Sequence, residues 1–103
     1  MEITFYSKTN TLSDEIKDYA SNKIHHLEKY LHHAMMGARI ELEEKTAEHS
    51  GEKYRAEATI DLAKGLLRAE ANGRTFQEAI DLIIPKLKSQ IERYKTKKRG
   101  IRE

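Results

Sequence analysis

The sequence has no cysteine. That excludes disulfides and cysteine-ligated zinc, and it fits a reducing compartment, so a cytoplasmic location is expected. There is a single proline and no low-complexity tract, which argues against long disorder outside the last few residues. No apolar run is long enough to cross a membrane, and the N-terminus lacks the apolar centre of a signal peptide. No membrane partner and no small-molecule substrate are expected. Also missing are a glycine loop that could cradle phosphate, a nucleophile–base arrangement and a metal-binding acid cluster. The carboxylates Glu41, Glu43, Asp61 and Glu70 fall on strand positions interleaved with arginines, which reads as surface charge. The histidines His25, His26, His32, His33 and His49 include no pair at i, i+4. His25 and His32 would stand about 10.5 Å apart along a helix and cannot share one ion. We therefore expect no enzyme, no catalytic residue, no metal and no cofactor.

The chain has 103 residues, the size of one domain, and its 38% hydrophobic content supports a modest core.

The most informative stretch is residues 75–99. Phe76, Ile80, Ile83, Leu87, Ile91 and Tyr94 recur at helical spacing and make one apolar face. Thr75 is a suitable N-cap, Glu78 three residues on completes a capping box, and Gly100 is a natural stop. Pro85 projects nearly opposite the apolar face, toward solvent. The apolar pattern continues in phase across it, so one helix, kinked there, is expected rather than two. Lys86, Arg93 and Lys97 fall on one shoulder of the apolar face, and Lys88, Lys95 and Arg99 on the other. Residues 86–103 hold eight Lys/Arg against Glu92 and Glu103, a local +6, whereas residues 1–85 sum to −4. This asymmetry points to a polyanion such as nucleic acid. A solvated basic helix end, whose cations offset the helix dipole, gives the same charge pattern.

Residues 2–7 alternate, with Ile3 and Phe5 on one side, and read as a short strand. Ser13 caps a first helix running to about His33, with Asp14 and Glu15 in its first turn. Its apolar face is Ile16, Tyr19, Ala20, Ile24, Leu27, Tyr30 and Leu31. Lys23 projects onto that face and must reach its edge or meet a partner. Asn22, His26, Lys29 and His33 line one flank. Residues 38–45 and 54–62 alternate again, separated by a polar loop at about 46–53. Residues 66–72 make a last strand, and Asn72-Gly73 turns into the second helix. The fold class is therefore α+β, in the order β-α-β-β-β-α. It is a four-stranded sheet with two helices packed on one face and a wet opposite face. His26 and Lys29 could line a groove with the Lys86/Arg93/Lys97 shoulder. Periodicity leaves open which shoulder of the second helix faces the first.

With this order, the segment KIHHLEKY at 23–30 and the segment AIDLIIPKLKSQIERYK at 79–95 resemble the ribosome hibernation-promoting factor family. That family is also called ribosome-associated inhibitor or sigma-54 modulation protein. The similarity covers essentially the whole chain. It implies a protein that binds the small ribosomal subunit against 16S rRNA, in the decoding channel of tRNA and mRNA, and silences idle ribosomes. The RNA-binding positions it implies are Lys23, Lys29, Lys86, Arg93 and Lys95; helix phasing makes Lys97 a neighbour of the Lys86/Arg93 rail, and His26, Gln90 and Lys98 complete the expected RNA-binding set. His26 stands where the family usually has lysine, Lys88 where an acid is common, and Ser89 and Glu92 where basic residues are common. Longer members carry a dimerising domain after a basic linker. Residues 1–95 are thus expected to be the ribosome-binding domain, and 96–103 a basic tail or the start of a linker. Dimerisation is expected only with a further C-terminal domain. The family's older name implies an alternative, a protein-binding regulatory module acting on a transcription factor.

Overall fold

The alternating stretches become four strands, and the two helical stretches cover one side of them. A computed structural model describes residues 2–8, 12–31, 34–45, 51 and 53–100, with 96–100 described by backbone alone. The elements run β1 (Glu2–Ser7), α1 (Asp14–Leu31), β2 (Met35–Glu44), β3 (Tyr54–Leu62), β4 (Gly65–Gly73) and α2 (Phe76–Gly100). The sheet order is β1-β2-β3-β4. β1 pairs parallel with β2, which requires a crossover, and α1 supplies it. β2, β3 and β4 form an antiparallel meander.

The inner face explains how the helices sit. Reading across the sheet, Ile3, Ala38, Ile60 and Leu67 form one row. Phe5, Ile40, Ala58 and Ala69 form the next, and Leu42, Ala56 and Ala71 a third. Four of the inner positions of β3 and β4 are thus alanines, all buried. Small residues there let α2 approach closely and seat Ile80, Ile83, Leu87 and Ile91, each at most 1% exposed. Each such side chain contributes about 1.5–3 kcal/mol on leaving water. α1 buries Ala20, Ile24, Leu27 and Leu31 beside it. Tyr54 meets Phe76 edge-on, with ring centroids 4.8 Å apart, and closes the core at the start of α2.

The caps are those expected, with one difference. The Ser13 hydroxyl accepts from the Ile16 amide at 3.1 Å, and the Thr75 hydroxyl from the Glu78 amide at 3.0 Å. The Glu78 carboxylate reaches back one residue further than in a capping box, to the Arg74 amide at 2.9 Å. Gly73 is required by close approach. A Cβ there would lie 2.7 Å from the Ala79 amide nitrogen, so the strand could not run so directly into the helix. α2 is continuous through Pro85, whose ring is exposed. α1 is described to Leu31, short of the expected end near His33, and positions 32–33 lie outside the described residues. So do 46–50, most of the expected loop. β2 begins at Met35, three residues before the alternation does, because a bulge between Met35 and Gly37 breaks the period of two. α2 runs to Gly100, over the stretch whose spacing predicts it.

The outer face is more organised than a solvated mixed-charge surface. Glu41, Glu57 and Glu70 lie directly opposite one another on β2, β3 and β4, a like-charged row that is unfavourable alone. Arg55 lies one row along and reaches all of them. Its guanidinium donates to Glu57 at 3.0 Å and to Glu70, and lies 3.6 Å from Glu41 and 3.7 Å from Glu43. Arg39 and Arg68 flank the row on the other side, and Arg68 donates to the buried Thr59 hydroxyl at 3.3 Å. The Arg55 side chain is only 18% exposed. Burial lowers its pKa, but the hydrogen bonds and charges of Glu70 and Glu57 outweigh it and raise the pKa overall. Replacing Arg55→Met leaves the glutamate row uncompensated and should cost roughly 1–3 kcal/mol at pH 7. Urea unfolding at low and at high salt checks this. The deficit relative to wild type should shrink at high salt, which screens the row; an equal deficit at both would remove the electrostatic explanation.

Candidate nucleic-acid interface

The two helices lie side by side, and two contacts give their relative direction. The Tyr19 hydroxyl, near the start of α1, donates to Asp81 near the start of α2 at 2.6 Å. Further along both, the Lys88 ammonium lies 5.6 Å from the centre of the Tyr30 ring. The helices therefore run the same way, and their C-terminal halves share one end of the layer. Residues 14–22 and 76–85 carry Asp14, Glu15, Asp18, Glu78 and Asp81, with Lys17 the exception. Residues 23–31 and 86–95 carry Lys23, Lys29, Lys86, Lys88, Arg93 and Lys95, against Glu28 and Glu92. Acid at helix N-termini and base at C-termini each favour helix formation, so this polarity costs the fold nothing.

The contacts also show which shoulder of α2 faces α1. Lys88 does, through Tyr30, and Lys95 follows it two turns on. The opposite shoulder lies along the free edge of β4. There the Lys86 ammonium donates to the Glu70 carbonyl at 2.7 Å. A shared groove of His26 and Lys29 with Lys86 and Arg93 is therefore not what forms. The groove between the helices is lined by Tyr30 of α1 and by Pro85, Lys88, Ser89, Ile91 and Glu92 of α2.

The expected site residues differ in how far their polar groups are already engaged. Gln90 donates to the Arg68 carbonyl at 2.6 Å and accepts from the Arg68 amide at 3.1 Å. Its side chain makes the pair of bonds that a fifth strand would make and fastens α2 to the sheet edge. Lys23 lies 3.6 Å from Asp81 and 5.3 Å from the centre of the Tyr19 ring, with its side chain 41% exposed. His26 is exposed, and its neighbour His25 contacts Glu28 at 2.7 Å. Lys29 lies 5.3 Å from the Tyr30 ring centre. Among the described residues, Lys29, Lys88, Arg93 and Lys95 have no ion pair with a carboxylate. The side chains of Lys97 and Lys98 lie outside the described residues. No group of three or more metal-ligating side chains occurs among the described residues, and no helix there is long and apolar enough to cross a membrane. The sequence did not place Lys88 against α1, although its position on a basic shoulder was visible. Asp81 was also missed, because its partners come from another helix.

Comparison with known proteins places the chain in a family. Residues 3–99 match the family described as Sigma 54 modulation protein / S30EA ribosomal protein, and the chain belongs to it. A ribosome hibernation promotion factor of Staphylococcus aureus (strain COL) is 37% identical over 87 residues. That match covers 84% of this chain and 44% of the relative, so the chain spans less than half the relative's length. The N-terminal domain of Thermus thermophilus Protein Y superposes with a TM-score of 0.76 at 28% identity, covering 91% of this chain and 99% of that one. A ribosomal subunit interface protein from Coxiella burnetii shares the fold, with a TM-score of 0.77 at 18% identity, over 93% of this chain and 99% of that one.

Two contacts can be tested directly. Gln90→Ala removes both bonds to Arg68 and bares a strand edge, and should cost about 1–2 kcal/mol. Thermal melting measures the loss, and size-exclusion chromatography should detect self-association through β4; an unchanged melt would show that Gln90 does not hold the edge. The hydrogen bond to Asp81, with lesser contributions from burial and from the carboxylate's charge, raises the Tyr19 pKa above the ordinary tyrosine value. Its contribution to stability is present below the unfolded-state pKa and lost as pH rises through the folded one. In Asp81→Asn the Tyr19 titration, followed by NMR, should move down in pH; no movement would mean that the bond does not form in solution.

Proposed function

We propose that this chain binds the small ribosomal subunit in its decoding channel, against 16S rRNA, and holds idle ribosomes silent. The observation that carries this reading is the gathering of Lys29, Lys88, Arg93 and Lys95 at the shared C-terminal end of two parallel helices, none paired with a carboxylate among the described residues. Such cations neutralise phosphate, which supplies affinity without reading base sequence. A rigid helix pair meets structured RNA by shape, since the deep groove of A-form RNA does not admit side-chain reading. The acid-rich sheet face repels phosphate and so orients the domain with its helices toward the RNA. Family membership and the name of the staphylococcal relative support the ribosome as the partner.

Within this reading the residues have different parts. Arg93, Lys95 and Lys29 give their charge directly, with His26 one turn before Lys29 on α1. Lys23 shares its ammonium between Asp81 and the RNA. Lys86 must leave the Glu70 carbonyl or contact phosphate while bound to it, with donors to spare. Gln90 holds α2 at its angle and has one further N–H to offer. Lys97 and Lys98, which follow in the sequence, add two further cations.

Co-sedimentation with purified small ribosomal subunits across a salt series tests the proposal. Wild type should pellet at low salt and be released as salt rises. Arg93→Glu/Lys95→Glu should stay in the supernatant at a salt concentration that retains wild type, with an unchanged melting temperature. Wild type in the supernatant at low salt would overturn the reading.

A further inference from the structure

We propose that Lys29, Tyr30 and Lys88 form a bridge across the groove between the helices that binds the phosphodiester backbone of RNA, with Lys88 a direct contact. The inference rests on the ribosome-binding reading and assigns one of its sites. Two ammonium groups from different helices approach one aromatic ring, Lys29 at 5.3 Å and Lys88 at 5.6 Å from its centre. Two like charges so placed repel each other. The negative face of the ring attracts each of them, and at these distances the attraction is real. Tyr30 is half-buried and packed against the core, so the ring is a fixed support. Both cations are exposed, lie against one ring and are matched by no carboxylate among the described residues.

The surroundings suit a phosphodiester. The groove has a volume of about 320 Å³, and Tyr30, Pro85 and Ile91 give it apolar walls that strengthen a lysine–phosphate contact at its mouth. Pro85 has no N–H. Ser89, next to Lys88, places a hydroxyl in the same groove that can donate to a phosphate oxygen. Glu92 lines the groove one turn beyond Lys88, and its carboxylate repels phosphate, so it bounds the site on that side.

The experiment compares Lys88→Gln, Lys88→Arg, Tyr30→Phe and Tyr30→Leu with wild type and with Arg93→Gln, by binding to small ribosomal subunits over a salt series. Lys88→Gln should weaken binding about fivefold and lower the slope of log affinity against log salt by about one, and Lys88→Arg should restore both. Tyr30→Phe should bind as wild type. Tyr30→Leu keeps both lysines yet should bind more weakly, because nothing holds them together. Lys88 is exposed, so Lys88→Gln decides the matter even if Tyr30→Leu loses stability in a circular-dichroism melt. If Lys88→Gln matches wild type in affinity and slope while Arg93→Gln is weakened, the bridge is overturned and the broader reading stands. If wild type does not bind at low salt, both fall.

Discussion

The seating of α2 on the alanine-lined half of the sheet is the constraint on which the rest of the molecule depends. Ile80, Ile83, Leu87 and Ile91 can be buried only because Ala56, Ala58, Ala69 and Ala71 leave room beneath them. That contact fixes the rotation of α2 about its own axis. Once the rotation is fixed, each charged residue has a determined neighbour. Lys86 and Gln90 must meet the edge of β4, and Lys88 must meet α1. A larger side chain at any of the four alanines would lift the helix and move every one of these contacts together. The core packing and the electrostatic surface are therefore one arrangement, seen from its two sides.

Much of this is legible in the chain. Strand 54–62 and the caps at Ser13 and Thr75 follow from alternation and from the first hydroxyl before an apolar run. The apolar stripe of α2 and the outward direction of Pro85 follow from the helical period. What could not be read has a common physical cause: it depends on which elements become neighbours. The start of β2 is hidden by a bulge, since one extra residue puts the alternation out of phase. The choice of shoulder facing α1 depends on which side of α2 the first helix lies, and periodicity is blind to that. The double bond of Gln90 to Arg68 crosses from helix to strand edge, so no spacing within either segment announces it.

The two layers of the domain treat charge in opposite ways. On the sheet face it is largely spent: Arg55 is surrounded by four carboxylates, and Arg39 lies 3.8 Å from Asp61. These bonds steady the register of strands that have alanines on their other side and so little to hold them by inner-face size alone. On the helix face, engagement falls along the chain direction. Lys23 has Asp81, Lys86 has only a carbonyl, and Arg93 and Lys95 have no carboxylate partner among the described residues. An ion pair at the surface contributes little to stability, so leaving cations unpaired sacrifices little of it. What the unpaired cations retain is capacity for a polyanion.

Asp81 shows why this gradient bears on function. It accepts from Tyr19 and faces Lys23, and so ties the two helices together at their acidic end. The tie keeps the helices from splaying there, and at the far end Lys29 and Lys88 each lie against the Tyr30 ring with no ion pair to a carboxylate among the described residues. A carboxylate in place of that ring would hold the two lysines more strongly, but it would also neutralise them. A π-face attracts cations while leaving their charge intact. An aromatic side chain can therefore hold a cationic surface together without spending it. That is what the proposed binding of RNA phosphates requires of the groove between the helices.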